Sequence, residues 1–266
     1  MEIREFLFAP LKGKSYLFSI RARESGILSG VDGLRAMVAE LGLSECWVRP
    51  EGQAVNPGSI VFSSQGNAEM VTQAEEMLPG TIGKPSGVAT AAAAFAQKTQ
   101  RVKVVCGAWK KVNMAVRKEL RQAVTTGGVG MRMTEEPFIY LDKNYIRMFG
   151  GIAAAVSRAK AFDPDRRVVA QLRGEGTDIT VEASSAVKAG ADILMVDTGL
   201  VGDFRLVARA AEQGHWRQRV RLAFAGGVNV QQLEELAELG ADIVDVGRAI
   251  LDAPMLDFSL DVEGEL

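Results

Sequence analysis

Histidine is nearly missing: His215 is the only one in 266 residues. It stands in EQGHWRQR at the end of a helical pattern, away from every strand terminus, which argues against a His-dependent triad. Most zinc sites are excluded as well, because there is no second histidine and no paired cysteine to complete them. The two cysteines, Cys46 and Cys106, lack metal spacing and suit a reducing compartment better than a disulfide framework, so both are expected as ordinary buried residues. No charge of one sign dominates. Lys+Arg at 31 against Asp+Glu at 33 leaves a net charge of -2, so no global field favours nucleic acid or anionic lipid, and any anion affinity must be local. Long apolar runs are absent too. The longest low-charge stretch, 85–97, is too short and too Ala-rich to span a bilayer, and MEIREFLFAPLKGKSYLF carries charges within its apolar stretch without a cleavage site. A cytoplasmic protein with no membrane and no nucleic-acid partner is expected.

What is present is enough apolar material, 47% of the residues, to bury a sizeable core, in a length that suits one barrel and a smaller domain. From about residue 102, short β-branched runs alternate with amphipathic patterns, the mark of βα units around a parallel sheet. Six runs read as strands, at 102–109, 138–144, 168–174, 192–199, 220–227 and 242–248. Helical patterns fill most gaps (MAVRKELRQAV, IAAAVSRAKAF, TVEASSAVKAG, DFRLVARAAEQG and VQQLEELAELG), several closing on a glycine. Six strands predict an open barrel.

The first 85 residues read as a small α+β domain. They hold a strand pair around SYLFSIRARESGIL, a helix at VDGLRAMVAELG, and two strands about the Asn-Pro-Gly turn of WVRPEGQAVNPGSIVFSSQG. EGQAVNPGSIV is similar to half of a lipoyl or biotinyl carrier domain, yet no lysine sits at its tip, so a small sheet is the better reading. MLDFSLDV alternates apolar and polar residues and predicts a strand returning to that sheet. The fold expected is therefore α/β: an N-terminal α+β sandwich-like domain at 1–85, joined by a return strand at 255–266, and an open six-stranded β/α barrel at 86–254.

Barrel chemistry sits at the C-terminal strand ends. Two ends are Gly-rich: Gly226-Gly227 leads from one strand towards a helix, and Gly247-Arg248 closes the last. Such turns let backbone N–H groups approach a phosphate, although glycines can also merely shape turns. Asp197 ends the DILMVD strand, where it could hold Mg²⁺ or steady a developing cation, or else cap a helix. Lys110 and Lys111 follow the VVCGAW strand as candidates for a pyrophosphate or carboxylate, with a solvated charge pair as the alternative. Gln171 and Arg173 share one strand face, with the arginine nearer the rim.

These motifs resemble the quinolinate phosphoribosyltransferase family, also called carboxylating nicotinate-nucleotide pyrophosphorylases, over nearly the whole chain. Ser86-Gly87-Val88-Ala89-Thr90 is similar to the family's Ser-Gly-Ile-Ala-Thr helix opening. KKVNMAVRKELRQAVTTGG follows its Arg-Lys-Thr segment, and LAFAGGVNVQQLEELAELGADIVDVGRAILDAPMLDFSLDV is the most specific match in order, spacing and ending. The resemblance implies transfer of a phosphoribosyl group from phosphoribosyl pyrophosphate to a pyridine nitrogen with Mg²⁺, by a homodimer in which each N-terminal domain covers its partner's barrel mouth. Carried over by position, Gly226, Gly227, Gly247 and Arg248 form the phosphate cradle, and Lys111 and Asp197 are catalytic, Asp197 also as the metal ligand. Lys110, Arg117, Arg132, Lys143, Gln171 and Arg173 would bind substrate.

The chain departs from the family at four places. Glu76 stands where an arginine is expected, Met131 where a histidine precedes Arg132, and Gln171 where the family has a glutamate. Leu141-Asp142-Lys143-Asn144-Tyr145 replaces the Lys-Glu-Asn-His element, with Lys143 one residue from the lysine's place. New charges, Asp245 and Arg248, flank Gly247. Exchanging a cation for Glu76 turns attraction for a carboxylate into repulsion, so an acceptor other than quinolinate is expected. The alternative is a paralogue that binds a phosphorylated sugar or nucleotide without transferring it.

Overall fold

The structure is a computed structural model that describes residues 3–266, apart from the side chains of Glu45 and Cys46, so the burial expected of Cys46 lies outside the described residues. Cys106 is buried, as expected. None of the described helices is long and apolar enough to cross a membrane. The chain divides into two compact units. The first comprises residues up to Ala94 with Lys110–Val129 and Ile250–Leu266, and the second Phe95–Trp109 with Gly130–Ala249.

The first unit begins with α1 (Ile3–Phe8) and has a four-stranded antiparallel sheet at its centre. Strand β1 (Tyr16–Ala22) alternates so that Phe18, Ile20 and Ala22 are fully buried. Strand β2 (Gly26–Ile27), helix α2 (Val31–Glu40), β3 (Ser44–Val48), β4 (Ala54–Val55) and β5 (Ile60–Gly66) follow. The expected pair around SYLFSIRARESGIL consists of β1 and β2, but they do not pair with each other. β1 pairs with β5, and β2 with β4, because the chain turns out of the sheet after Ala22. β4 and β5 flank the Asn56-Pro57-Gly58 turn as expected.

Helix α3 (Ala68–Lys98) is a continuous 31-residue element containing Pro79 and Pro85. Ser86-Gly87, expected at a helix opening, lies inside it. Val71, Ala74, Leu78, Ile82, Ser86, Ala89 and Ala93 recur at three- and four-residue spacing and are buried, so packing holds the helix together where the prolines weaken its ladder. The tail is fastened to its middle, with Leu256 N–H donating to Gly83 O at 3.0 Å and Lys84 Nζ to Ala253 O at 2.6 Å. Strand β12 (Phe258–Glu265) then pairs antiparallel with β1. The short α4 (Arg117–Thr126) also belongs to this unit.

The second unit is a six-stranded parallel sheet, curled into a half-barrel. Its strands are β6 (Lys103–Cys106), β7 (Phe138–Leu141), β8 (Arg167–Leu172), β9 (Ile193–Val196), β10 (Arg221–Ala225) and β11 (Ile243–Val246), in the order β6-β11-β10-β9-β8-β7. Five lie within the expected runs and β8 starts one residue before its run, and all six end earlier than expected where turns and caps take over. Helices α5 (Lys143–Met148), α6 (Ile152–Phe162), α7 (Ile179–Lys188), α8 (Val201–Gln213), α9 (Leu233–Glu238) and α10 (Arg248–Leu251) alternate with the strands. The convex face packs on helices, as where Phe224 of β10 meets Phe204 of α8 edge-on with ring centres 5.7 Å apart. The concave face holds its own apolar cluster of Val105, Val169, Ile193, Met195, Ala223 and Ile243, with Phe138 and Tyr140 against it. At the N-terminal ends, two Gly-Ala-Asp-Ile repeats pin the strands. Asp192 accepts from Val168 N–H at 2.8 Å and Asp242 from Leu222 N–H at 2.7 Å. Such locks serve stability, and leave the C-terminal ends for chemistry.

Candidate active site

Side chains alternate across a strand, so the residues that point into the concave face are fixed by the apolar cluster below them. Continuing that alternation to the C-terminal ends brings Tyr140, Gln171, Arg173, Asp197 and Asp245 to the barrel mouth, with Gly107 beside them. Gln171 is held at both ends of its amide: its carbonyl accepts from Lys143 N–H at 2.6 Å and its NH₂ donates to Asp197 Oδ2. Arg173 donates from a terminal nitrogen to Asp197 O at 2.6 Å and lies 4.0 Å from Asp197 Oδ2. Asp197 is thereby oriented by β8. It does not cap a helix, since the residue before α8 is Leu200, which makes no capping side-chain bond.

Asp245 has the more unusual setting. A Cβ on Gly107 would lie 2.4 Å from both of its carboxyl oxygens, so the carboxylate occupies room that only glycine leaves. Its Oδ1 is sealed from solvent without a hydrogen-bond partner among the described residues. Burial pushes this carboxyl up to about 6, the facing Gly107 N–H opposes the shift, and the charge of Asp197 adds to it. Burial likewise raises Tyr140 above the ordinary phenol range, reinforced by Asp197 and Asp245. Cys106 is pushed up to about 12 by burial and by Asp245, which leaves it an unreactive thiol. Glu182 of α7 is raised by burial while accepting from the N–H groups of Arg173 and Gly174 at 3.0 and 2.8 Å, and so shapes the turn after β8.

The glycine turns adjoin this mouth. Gly226 and Gly227 have φ of +108° and +80°, and Gly199, at the end of β9, has +75°. A Cβ on Gly226 would lie 2.5 Å from Gly199 N, so two glycine backbones meet face to face. The uncapped start of α8 follows directly at Leu200, adding N–H groups that the sequence reading did not include. Gly247 approaches Ala108, a non-glycine residue with φ +64°; strain of this kind gathers at functional loops.

The remaining expected residues are dispersed. Lys143 begins α5, and together with Arg147 and Arg173 it surrounds Glu175, to which Arg147 is ion-paired. Arg132 donates to Glu136 O at 3.2 Å and lies over the Phe138 ring, which ties it to its own loop. Arg248 is exposed at the start of α10. Lys110, Lys111 and Arg117 belong to the first unit; both lysines are exposed, and Arg117 Nε donates to Val112 O at 2.8 Å. Glu76 lies on an exposed part of α3 in an ion pair with Arg4, so solvent screens the repulsion attributed to it. Met131 is exposed, and Asp142 caps α5 by accepting from Asn144 N–H at 2.9 Å. His215 is exposed after α8. Missed from the sequence were Tyr140, Gly199 and Glu182, and Asp245 was noted only as a flanking charge.

Comparison with known proteins adds a second kind of observation. Residues 88–261 match the family model of the quinolinate phosphoribosyl transferase C-terminal domain, and residues 9–86 that of its N-terminal domain. A probable carboxylating nicotinate-nucleotide pyrophosphorylase of Archaeoglobus fulgidus is 28% identical over 251 residues, covering 91% of this chain and 93% of the relative. The human carboxylating nicotinate-nucleotide pyrophosphorylase is 25% identical over 244 residues, 90% of this chain and 80% of its own. Among solved structures, the nicotinate-nucleotide pyrophosphorylase of Francisella tularensis matches with a TM-score of 0.79 at 25% identity, over 97% of this chain and 90% of that one. That of Pyrococcus furiosus reaches 0.86 at 20% identity, over 98% and 73%, a likeness of fold.

Proposed function

The chain belongs to the quinolinate phosphoribosyl transferase family, and from that premise we propose that it transfers the phosphoribosyl group of phosphoribosyl pyrophosphate to an N-heteroaromatic acceptor other than quinolinate. The observation that carries the reading is the barrel mouth, where glycine turns suited to a phosphate stand beside two carboxylates, Asp197 and Asp245.

In such a transfer the bond from C1′ to pyrophosphate breaks as the ring nitrogen attacks C1′, and positive charge develops on the ribose. Asp197, held in place by Gln171 and Arg173, is the group that stabilises this charge. The 5′-phosphate rests on the Gly226-Gly227 turn, the Gly199 edge and Gly247. Lys110, Lys111, Arg117, Arg132 and Arg248 are assigned to the anionic groups by resemblance alone.

Mg²⁺ needs only one or two protein carboxylates when substrate phosphates supply the other ligands, and the half-exposed Asp197 fits that requirement. When bound, the ion would neutralise charge on the departing pyrophosphate. A second reading, a paralogue that binds the phosphosugar without transferring it, is favoured by Gln171, a neutral amide already engaged at both ends. Calorimetry with phosphoribosyl pyrophosphate and Mg²⁺ tests the site. Saturable binding that is lost in Gly227→Val supports the proposal, and absence of binding to the wild-type protein refutes it.

A further inference from the structure

We infer that Asp245 sets acceptor specificity, selecting a heteroaromatic ring that carries a hydrogen-bond donor, such as an amide or exocyclic amino group, over a ring that carries a carboxylate. The inference rests on the phosphoribosyltransferase reading and names the substrate class of that same site.

Asp245 reaches the concave face because β11 alternates Ile243 inward, Val244 outward and Asp245 inward. Strand β6 makes room for it. With Gly107 just past the end of β6, the carboxylate lies where a side chain at that position would collide with it. Its Oδ1 is sealed from solvent and has no donor among the described residues, an arrangement that costs stability unless a ligand supplies an N–H.

The surrounding charges favour a donor over an anion. Asp197 approaches from β9 and Tyr140 from β7, while Cys106 on β6 is a neutral thiol. Arg173 is turned to Asp197 O and lies 3.6 Å from Glu175, with its Nε lacking a hydrogen-bond partner among the described residues. Arg147 pairs with the same glutamate, and Lys143 adds to its field. Arg147, Arg173 and Lys143 are thus gathered towards Glu175, and Asp245 and Asp197 stand side by side on the neighbouring strand ends of the mouth. A carboxylate there would meet two like charges in a partly dry pocket, whereas an amide or amino group would satisfy an orphan oxygen. Sites built around an unpaired polar group discriminate strongly against analogues lacking the matching one.

The test uses two rings that differ only in this group, nicotinamide and nicotinate, titrated calorimetrically at pH 8 into the full chain loaded with ribose 5-phosphate. Nicotinamide should bind at least about tenfold more tightly than nicotinate, and Asp245→Asn, which keeps the size and removes the charge, should erase most of that preference. Gly107→Ala, which displaces the carboxylate from the opposite strand, should reproduce the loss and serves if the first variant folds poorly. Nicotinate binding as tight as nicotinamide, an unchanged preference in both variants, or no binding of either ring to the loaded protein overturns the inference. Failure of ribose 5-phosphate itself to bind would instead overturn the transferase reading beneath it.

Discussion

Asp245→Asn should change the pH dependence of stability in a definite direction. In the unfolded chain the Asp245 carboxyl titrates near the ordinary 3.8, and in the folded chain at about 6. Below both values the group is protonated in each state and contributes nothing to the difference. Between them the folded protein keeps a proton that the unfolded chain has released, so rising pH favours unfolding. Above about 6 the folded carboxyl ionises as well and the cost is complete. A shift of about two units corresponds to about 3 kcal/mol. Asparagine does not ionise. The wild-type protein should therefore lose about 3 kcal/mol relative to Asp245→Asn between pH 3.5 and pH 8, on top of any constant offset from the amide. Urea denaturation of both proteins across that range measures it. Parallel stability curves would show that Asp245 titrates normally, and would remove the buried, donor-seeking carboxylate from the account.

Other substitutions test other parts. Gly227→Val places a branched side chain at a φ of +80° and should abolish phosphosugar binding while leaving the circular dichroism spectrum unchanged. Retained affinity would separate the glycine turn from the phosphate. Gly87→Ala puts a Cβ 1.8 Å from Pro254 O and should destabilise the first unit by about 3 kcal/mol or more, read as a lower denaturation midpoint. The exposed Ile3, Phe6 and Leu7 of α1 accord with a homodimer, so light scattering at micromolar concentration should give twice the 28.6 kDa chain mass, and a monomer would contradict this.

The half-barrel was legible because its strands are short β-branched runs that alternate with amphipathic helical patterns, several closing on a glycine. Helix α3 was not. Its buried positions keep helical spacing from Val71 to Ala93, but Pro79, Gly80, Gly83, Pro85 and Gly87 are local signals for a break, and tertiary packing outweighs them. For the same reason the boundary expected at 85/86 falls inside a helix. The site was readable where a polar residue ends a strand, as at Asp197 and Arg173. Tyr140 and Asp245 obey the same alternation one step lower on their strands. They were passed over because an inward residue there is usually apolar; a charged residue at an inward position is the signal that identifies Asp245. Lys143, Arg147 and Arg173 could not be assigned to Glu175 from sequence, since only the fold brings α5 beside the turn after β8.

The proposed reaction is phosphoribosyl transfer to an acceptor other than quinolinate. The direct measurement follows nicotinate mononucleotide and pyrophosphate release by the purified protein supplied with quinolinate, phosphoribosyl pyrophosphate and Mg²⁺. Turnover should be absent or far below about 1 per second, because the mouth itself carries Asp197 and Asp245 and Arg173 is turned to Asp197 O and towards Glu175. Turnover at or above about 1 per second would contradict the claim and make quinolinate the substrate.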